Sequence, residues 1–371
     1  MKLVFSPEQD ELRASVRRFL TAKSPSSAVR ALMGDPAGYD EAVWKQMAGQ
    51  LGLPGLAIPE RFGGSGFSFV ELAIVLEEMG RALLVAPYFS SAVLGAYALL
   101  DAGDDAAAAE FLPGIADGSR LATLAVTEDS GRWDLESLSL PAAREGDVWS
   151  LTGAKSYVAD GHLADLLLVA ARTPAGLSLF AIDGTARGMV RTELPTLDQT
   201  RKLARITFDA TPARLVGVDG GAAASLARTL DKAALALAAE QVGGAQRVLD
   251  MAVEYAKVRH QFDVPIGSFQ AIKHKASEML MRVESARSAA YFGAYAVADD
   301  SDEVPAVASL AKAYCSEAFF FAAAENIQIH GGVGFTWEHD AHLYFKRAAS
   351  SQLFLGDAAF HRERLLERIG I

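Results

Sequence analysis

The spacing of apolar residues changes twice along this chain of 371 residues, and those two changes limit the folds that it can adopt. Over the first third, apolar residues recur every three or four positions, as one face of an α-helix requires. Short apolar runs separated by glycine, proline and polar residues follow, which is typical of β-strands joined by turns. Helical spacing then returns. Helices, then strands, then helices predict an α+β fold.

The two changes place domain boundaries near residues 117 and 218. We predict an N-terminal helical domain over residues 1–117, a central β domain over 118–218 and a helical bundle over 219–371. Several short strands at regular spacing favour a small antiparallel barrel or sandwich for the central domain. The predicted strands are residues 121–127, 148–158, 165–171, 177–182 and 204–210.

The first predicted helix carries a start signal. Ser6, Pro7 and Gln9 have the form of a capping box, in which Ser6 is the N-cap and Gln9 reaches back to it. Proline is common at the first helical position, because its missing N–H has no helical partner there. The pattern therefore predicts a helix that begins at Pro7.

The composition narrows the classes of function. A net charge of −11 argues against nucleic-acid binding through a general basic face. The single cysteine, Cys315, cannot form a disulfide within the chain, which fits a reducing compartment. The N-terminal sequence does not read as a signal peptide, and no apolar run is long enough to span a bilayer. We expect a cytoplasmic protein without a membrane span.

A polar cluster near the C-terminus consists of Glu338, His339, Asp340 and His342. Such residues bind metals when their spacing and geometry converge on one ion. Here a solvated surface or contacts between helices account for the cluster better. No metal site is predicted.

Four segments follow one another in the order 124–128, 151–158, 259–270 and 328–335. In this order and spacing they resemble motifs of the acyl-CoA dehydrogenase family. The first is similar to its A-x-T-E strand end, and the second to its G-x-K-x-W-I-T strand. The third is similar to R-x-x-F-G-x-x-I…Q, and the fourth to Q-x-x-G-G-x-G-[FY]. The resemblance spans nearly the whole chain and implies a C-terminal four-helix bundle after the central β domain.

The resemblance also implies FAD as the cofactor. Arg259 would meet the pyrophosphate of a flavin bound mainly to a neighbouring subunit, since a pyrophosphate needs cations and N–H donors. Glycines allow the backbone to approach the adenine end, because no Cβ intervenes. Contacts from two chains imply an oligomer, either a homo-oligomer or a hetero-oligomer with a sibling subunit. The implied cofactor-binding residues are Val126, Thr127, Tyr157, Arg259, Phe262, Gln270, Gln328, Gly331 and Gly332.

The implied reaction is α,β-dehydrogenation of an acyl-CoA thioester. A carboxylate removes the α-proton while the β-hydrogen leaves as hydride to flavin N5. The electrons would then pass to an electron-transfer flavoprotein. Counting from the glycine motif, the family's usual catalytic glutamate falls on Leu355, and a second base position used by some members falls on Ala233. Neither side chain can accept a proton.

Two other carboxylates are candidates for the missing base. Asp357 lies two residues after Leu355, and Glu240 lies two helical turns after Ala233 on a similar face. Each also has a structural interpretation, as a carboxylate with a local partner. Asp357 further replaces a threonine that helps to hold the flavin phosphates in the family, and Ala159 replaces a threonine that donates to the flavin.

Three hypotheses therefore remain. The chain is an active acyl-CoA dehydrogenase with a relocated base, acting on a bulky or branched acyl group. Alternatively, it is a non-catalytic subunit of a heterotetramer that supplies flavin contacts to a catalytic sibling. In the third hypothesis the fold supports a flavin oxidase or monooxygenase, because fold does not fix function.

Overall fold

The computed structural model describes residues 5–371. Its contacts divide the chain into two compact units. The helical unit contains residues 5–31 together with Phe69–Leu84 and Ala234–Ile371, and the sheet-containing unit contains Leu32–Ser68 and Val85–Ala233. This division is not the linear one at residues 117 and 218, and those domain boundaries stay predictions.

The helices occupy both ends of the chain, as the apolar spacing predicted. A π-helical stretch, Phe89–Gly95, runs directly into α5 and is buried throughout. Within residues 5–371 the α-helices are α1 (Pro7–Lys23), α2 (Ser26–Met33), α3 (Glu41–Gly49), α4 (Phe69–Arg81), α5 (Ala96–Asp101), α6 (Asp105–Ala116), α7 (Ala222–Val258), α8 (Gln270–Ala298), α9 (Val304–His330), α10 (Ala341–Leu353) and α11 (Ala358–Arg368).

The predicted start of α1 is confirmed. The Gln9 backbone N–H donates to Ser6 Oγ at 3.3 Å, and the Ser6 N–H donates to Gln9 Oε1 at 3.0 Å. Pro7 occupies the first turn. The two reciprocal bonds satisfy donors that would otherwise lack partners at the helix end.

The central segment forms a seven-stranded sheet in the order β1-β4-β5-β7-β3-β2, with β6 paired to β7. Phe180 and Ile206 are among its fully buried core residues. The strands are β1 (Ala122–Ala125), β2 (Ala142–Glu145), β3 (Val148–Ala159), β4 (Leu166–Thr173), β5 (Gly176–Asp183), β6 (Met189–Glu193) and β7 (Leu203–Val216).

The five predicted strands are present as β1, β3, β4, β5 and β7. The sheet is not wholly antiparallel, because β1 pairs with β4 in parallel. The other strand pairs in this sheet are antiparallel. The sequence prediction missed β2 and β6, since both are short and mostly exposed and so lack an apolar alternation.

In the helical unit, α4 and α7 approach each other through glycine. A Cβ added to Gly80 would lie 1.9 Å from the carbonyl oxygen of Glu240, and one added to Gly243 would lie 1.8 Å from that of Glu77. Real side chains do not tolerate such distances, so both positions require the missing Cβ. Between residues 5 and 371 no helix has the length and apolar character needed to cross a membrane.

Gly80→Ala should destabilise the fold by about 3 kcal/mol or more, because the methyl group would force two helix backbones apart. Denaturant unfolding followed by circular dichroism would measure the change. Gly49→Ala is the matched control: it also lies in a helix, but an added Cβ would have no atom within 4 Å. The free energy of unfolding of that control should rise by up to about 1 kcal/mol. Equal effects of the two substitutions would contradict the close approach of α4 and α7.

Candidate active site

A short hairpin projects between α7 and α8. Its strands, β8 (His260–Gln261) and β9 (Val264–Pro265), pair antiparallel. The two turn residues, Phe262 and Asp263, have φ of 53° and 62°. Positive φ at both positions is typical of a type I′ turn, in which aspartate is well tolerated. The turn geometry thus accounts for Asp263 where the family motif has glycine.

The hairpin presents an aromatic ring to solvent. Phe262 is 88% exposed, and its only ring contact in the described part of the chain is edge-on with Phe269, at 6.2 Å between centroids. Burying a phenylalanine from water is worth about 1.5–3 kcal/mol. An exposed ring at a hairpin tip therefore suits a surface that another molecule covers.

Arg259 and Gln270 flank this hairpin. The Arg259 carbonyl accepts from the Ile266 N–H at 2.8 Å, which closes the hairpin at its base. Gln270 is the first residue of α8. Both side chains are exposed. A cation and an amide are thus presented beside the protruding ring.

The glycine segment lies at the same end of the helical unit. Tyr255 on α7 stacks on His330 at the end of α9, with 4.3 Å between ring centroids. Lys275 near the start of α8 pairs with Glu325 on α9. These contacts bring the hairpin ends of α7 and α8 together with the segment that begins at Gln328, whose side chain is exposed.

The glycines in this segment differ in their surroundings. A Cβ added to Gly331 or Gly332 would have no atom within 4 Å, so both border open space. Gly331 also has φ of 63°, which favours glycine. At Gly334 an added Cβ would lie 2.8 Å from His330 Cβ, so that glycine serves internal packing. The first two glycines leave room for a ligand to reach the backbone.

In the sheet-containing unit, Val126 and Thr127 follow β1 and are buried. The Thr127 hydroxyl donates to the Ser156 carbonyl at 2.6 Å, and the Ser156 N–H donates to the Thr127 carbonyl at 2.9 Å. The hydroxyl of Thr127 is thus engaged within the protein. The hydroxyl donor is thereby used, and only its lone pairs remain for another partner.

Tyr157 lies at an irregularity of β3. The pairing of β3 with β7 shifts register between Lys155 and Val158, and Tyr157 has φ of 58°. Such a bulge changes the direction in which a side chain points. A positive φ costs free energy for a residue other than glycine. Tyr157 is 42% exposed as a result, whereas Ala159 is buried. The bulge presents one aromatic ring at the surface of the sheet-containing unit.

An ion pair that the sequence analysis missed connects the two strand motifs. Lys155 is fully buried, and its ammonium donates to the Val126 carbonyl at 2.7 Å and to Glu128 at 3.0 Å. Glu128 also accepts from Ser139 and Leu140. The sequence shows an acidic residue in one motif and a lysine in the other, which could have suggested an ion pair. Their contact depends on how the strands pair, which the sequence pattern does not give.

The pKa values of this pair reflect its burial. Burial lowers the pKa of Lys155 to about 8, although the charge of Glu128 opposes the shift. Burial alone would raise the pKa of Glu128, but hydrogen bonds from Ser139 and Leu140 and the Lys155 charge outweigh it and lower that pKa to about 2. Both groups are therefore charged at neutral pH.

The two base positions of the family motif are apolar and buried. Leu355 is 4% exposed and Ala233 is 0% exposed. Leu355 lies between α10 and α11 with φ of 63°. Its carbonyl contacts His361 Nε2 at 2.9 Å. Neither position offers a proton acceptor on its side chain.

The two alternative carboxylates have structural partners. Glu240 pairs with Arg347 at 2.8 Å, and both side chains are nearly buried. Asp357 is the N-cap of α11, where its side chain accepts from the Phe360 N–H at 2.8 Å. A buried pair and a helix cap both hold a carboxylate in its ionised form. Their role as bases stays a prediction that these contacts do not favour.

The polar cluster near residue 340 also has local partners. Asp340 pairs with Arg30 at 2.8 Å, and His339 Nδ1 accepts from the Ala341 N–H at 3.1 Å. Among residues 5–371 no group of His, Cys, Asp and Glu side chains is arranged to hold a metal ion. Burial lowers the pKa values of His339 and His342. The contacts are those expected between helices.

Three family models cover most of the chain. The N-terminal, middle and C-terminal domain models of acyl-CoA dehydrogenases match residues 6–119, 123–211 and 219–370. The acyl-CoA dehydrogenase IpdE2 of Mycolicibacterium smegmatis is 36% identical over 363 residues, which is 97% of this chain and 98% of that protein. The chain belongs to the acyl-CoA dehydrogenase family. It is thereby an oxidoreductase that acts on CH–CH groups.

Two solved structures are similar to this chain over nearly their whole length. A variant of the Tcur3481–Tcur3483 steroid acyl-CoA dehydrogenase has 32% identity and a TM-score of 0.89, with 98% of each chain covered. The ChsE4–ChsE5 complex of Mycobacterium tuberculosis has 28% identity and a TM-score of 0.91, covering 100% of this chain and 99% of that one. The predicted fold class is confirmed.

Acyl-CoA dehydrogenases typically use FAD. In this chain the helical unit fits that cofactor, because Arg259, Phe262 and the open space at Gly331 lie at one end of it. Two residues of the sheet-containing unit fit that cofactor less well. Thr127 uses its hydroxyl internally, and Ala159 offers no side-chain donor. The residues that the resemblance assigns to a neighbour's flavin therefore fit the cofactor better than Thr127 and Ala159 do.

Glu128→Gln should cost about 3 kcal/mol at pH 7, because it removes one charge of a mostly buried pair. The folded pKa of Glu128 lies below its usual value of 4.5, so its contribution is complete above pH 4.5 and is lost as the pH falls towards 2. As the pH falls from 4.5 towards 2, the variant should therefore lose less stability than the unmodified chain. Urea unfolding at several pH values would measure both effects.

Glu41→Gln is the matched control, because its pair with Lys45 is exposed. Such pairs contribute less than about 1 kcal/mol. If both variants showed the same stability and the same dependence on pH, the Glu128–Lys155 pair would not link the strand motifs.

Proposed function

We propose that this chain is one subunit of a hetero-oligomeric acyl-CoA dehydrogenase that introduces a double bond between Cα and Cβ of an acyl-CoA thioester. A sibling subunit supplies the catalytic carboxylate, and this chain supplies contacts to the sibling's FAD. The observation that carries the proposal is the contrast between the exposed hairpin at Phe262 and the apolar, buried side chain at Leu355.

Removal of the α-proton needs a positioned group whose pKa suits the task. Leucine and alanine at the two family positions cannot take that proton. Glu240 is held by Arg347, and Asp357 is held by the first turn of α11. A base from another subunit removes this difficulty without displacing either carboxylate from its partner.

The hairpin side of the chain supports the second half of the proposal. The Arg259 guanidinium would pair with the pyrophosphate, and Gln270 and Gln328 would donate or accept hydrogen bonds nearby. Phe262 would cover apolar surface of the cofactor, and Gly331 and Gly332 would leave space for its adenine end. FAD, when bound, accepts the hydride that leaves Cβ.

The comparisons support both an assembly of two different chains and a substrate class. The two solved relatives are named as pairs of proteins, and one is described as a steroid acyl-CoA dehydrogenase. We therefore propose a bulky, alicyclic acyl-CoA as the substrate, with an electron-transfer flavoprotein as the electron acceptor. A relocated base within this chain and an oxygen-consuming flavin reaction are the alternative outcomes.

Expression of the chain alone should give protein that holds little flavin and does not turn over acyl-CoA. Co-expression with a family member that has glutamate at the position of Leu355 should give a stable complex with fewer FAD molecules than chains. Gel filtration, flavin absorbance and dye reduction by a steroid-derived acyl-CoA would test this. Stoichiometric FAD in the chain alone, bleached by acyl-CoA, would sink the proposal. Rapid reoxidation with release of peroxide would favour the oxidase.

Arg259→Ala should weaken FAD binding by the complex about 10- to 100-fold, since a hydrogen bond to a charged group contributes about 1.5–3 kcal/mol. The free chain should keep its stability, because Arg259 is exposed. Lys257→Ala is the matched control, as it removes an exposed cation two residues away. Titration of the two complexes with FAD would compare their affinities for the cofactor. Equal FAD affinity for both variants would exclude Arg259 from the site.

A further inference from the structure

A second fully buried lysine lies in the helical unit. Lys312, on α9, is 0% exposed. Its ammonium donates to Ser316 Oγ at 3.0 Å and to the carbonyls of Gln352 at 3.2 Å and Gly356 at 2.9 Å. A lysine ammonium has three donors and no acceptor, so these three oxygens match its capacity.

One of those oxygens, the Gly356 carbonyl, belongs to the segment that joins α10 to α11, and another, the Gln352 carbonyl, lies in the last turn of α10. In this segment Leu355 and Gly356 both have positive φ, at 63° and 97°. Such a conformation is costly for leucine and persists only where its surroundings hold it. The carbonyl of Leu355 is engaged by His361. Side chains of Lys312 and His361 therefore engage two carbonyls of this turn, and Lys312 also engages one carbonyl at the end of α10.

Ser316 connects Lys312 to a further buried polar group. Gln241 on α7 donates to Ser316 Oγ at 3.0 Å and to the Ser351 carbonyl at 3.2 Å. Gln241, Ser316 and Ser351 are each at most 1% exposed. A satisfied buried network of this kind rigidifies the elements that it joins. The turn is thereby tied to α7, α9 and α10.

We propose that Lys312 is a positioning residue that fixes the turn between α10 and α11, so that the backbone presents position 355 in the same way whatever side chain stands there. The family's usual base position lies on this turn. The turn keeps its strained conformation with a leucine at 355, because the side chains of Lys312 and His361 bind backbone carbonyls of the turn and not the side chain at 355. This proposal does not depend on a partner subunit or on flavin.

A purely space-filling role does not account for Lys312. Burial of an ammonium is unfavourable, and it lowers the pKa of Lys312 to about 7. Methionine would fill a similar volume without that cost. The free energy is recovered through oxygen partners, and one of these is the carbonyl of Gly356, which lies beyond the end of α10.

The carbonyl of Gly356 can be observed directly. The chain contains four Gly–Asp pairs, Gly34–Asp35, Gly103–Asp104, Gly146–Asp147 and Gly356–Asp357. Labelling with carbonyl-¹³C glycine and ¹⁵N aspartate therefore gives four correlation signals in the free chain. Lys312→Met should shift the Gly356 signal and leave the other three in place. Lys155→Met, the same change at the other buried lysine, should leave the Gly356 signal unchanged.

Hydrogen exchange gives a second measurement, and its first part needs no substitution. In the unmodified chain the Phe354 and Gly356 amides, which donate to Ser350 and Leu353, should exchange as slowly as amides of α9. In Lys312→Met they should exchange at least tenfold faster, while amides of α8 change little. Unprotected turn amides in the unmodified chain would overturn the proposal. So would an unshifted Gly356 carbonyl in Lys312→Met, or exchange that rises equally in α8 and the turn.

Discussion

A buried ammonium group must find oxygen partners, and two fully buried lysines of this chain meet that requirement by joining separate elements. In the sheet-containing unit, Lys155 joins the end of β1 to β3 through the Val126 carbonyl and Glu128. In the helical unit, Lys312 joins α9 to the last turn of α10 and to the turn that follows it. Removal of either charge would leave oxygens without partners in a low-dielectric interior, where that loss is most costly.

The hairpin between α7 and α8 differs from the two buried lysines, because its most prominent side chain lies in solvent. Its two strands pair with each other and its turn has the dihedral angles of a type I′ turn. The Phe262 side chain is nevertheless almost fully exposed. A rigid backbone that presents an exposed ring and a nearby cation is pre-organised for binding, because little conformational freedom remains to be lost. The exposed ring therefore supports the proposal that another subunit covers this surface.

Local patterns predicted what depends on neighbours in sequence. The capping box at Ser6 and the five apolar strands were of this kind, and both are present. The parallel pairing of β1 with β4 was not predictable, because it depends on which distant strands meet. The same holds for the partners of Lys155 and Lys312, whose burial only the tertiary fold decides. The exposed strands β2 and β6 gave no apolar alternation to detect.

Leu355 combines an unfavourable backbone conformation with a side chain that cannot do the family's chemistry. A chain under no demand at this turn could relax it, since a leucine with φ of 63° carries strain. The turn instead retains its hydrogen bonds to Lys312 and His361. Those bonds use carbonyl groups, so loss of the glutamate side chain removes the base without removing any contact that holds the turn. In the proposed hetero-oligomer, a subunit without a carboxylate at this position therefore keeps the architecture of the turn.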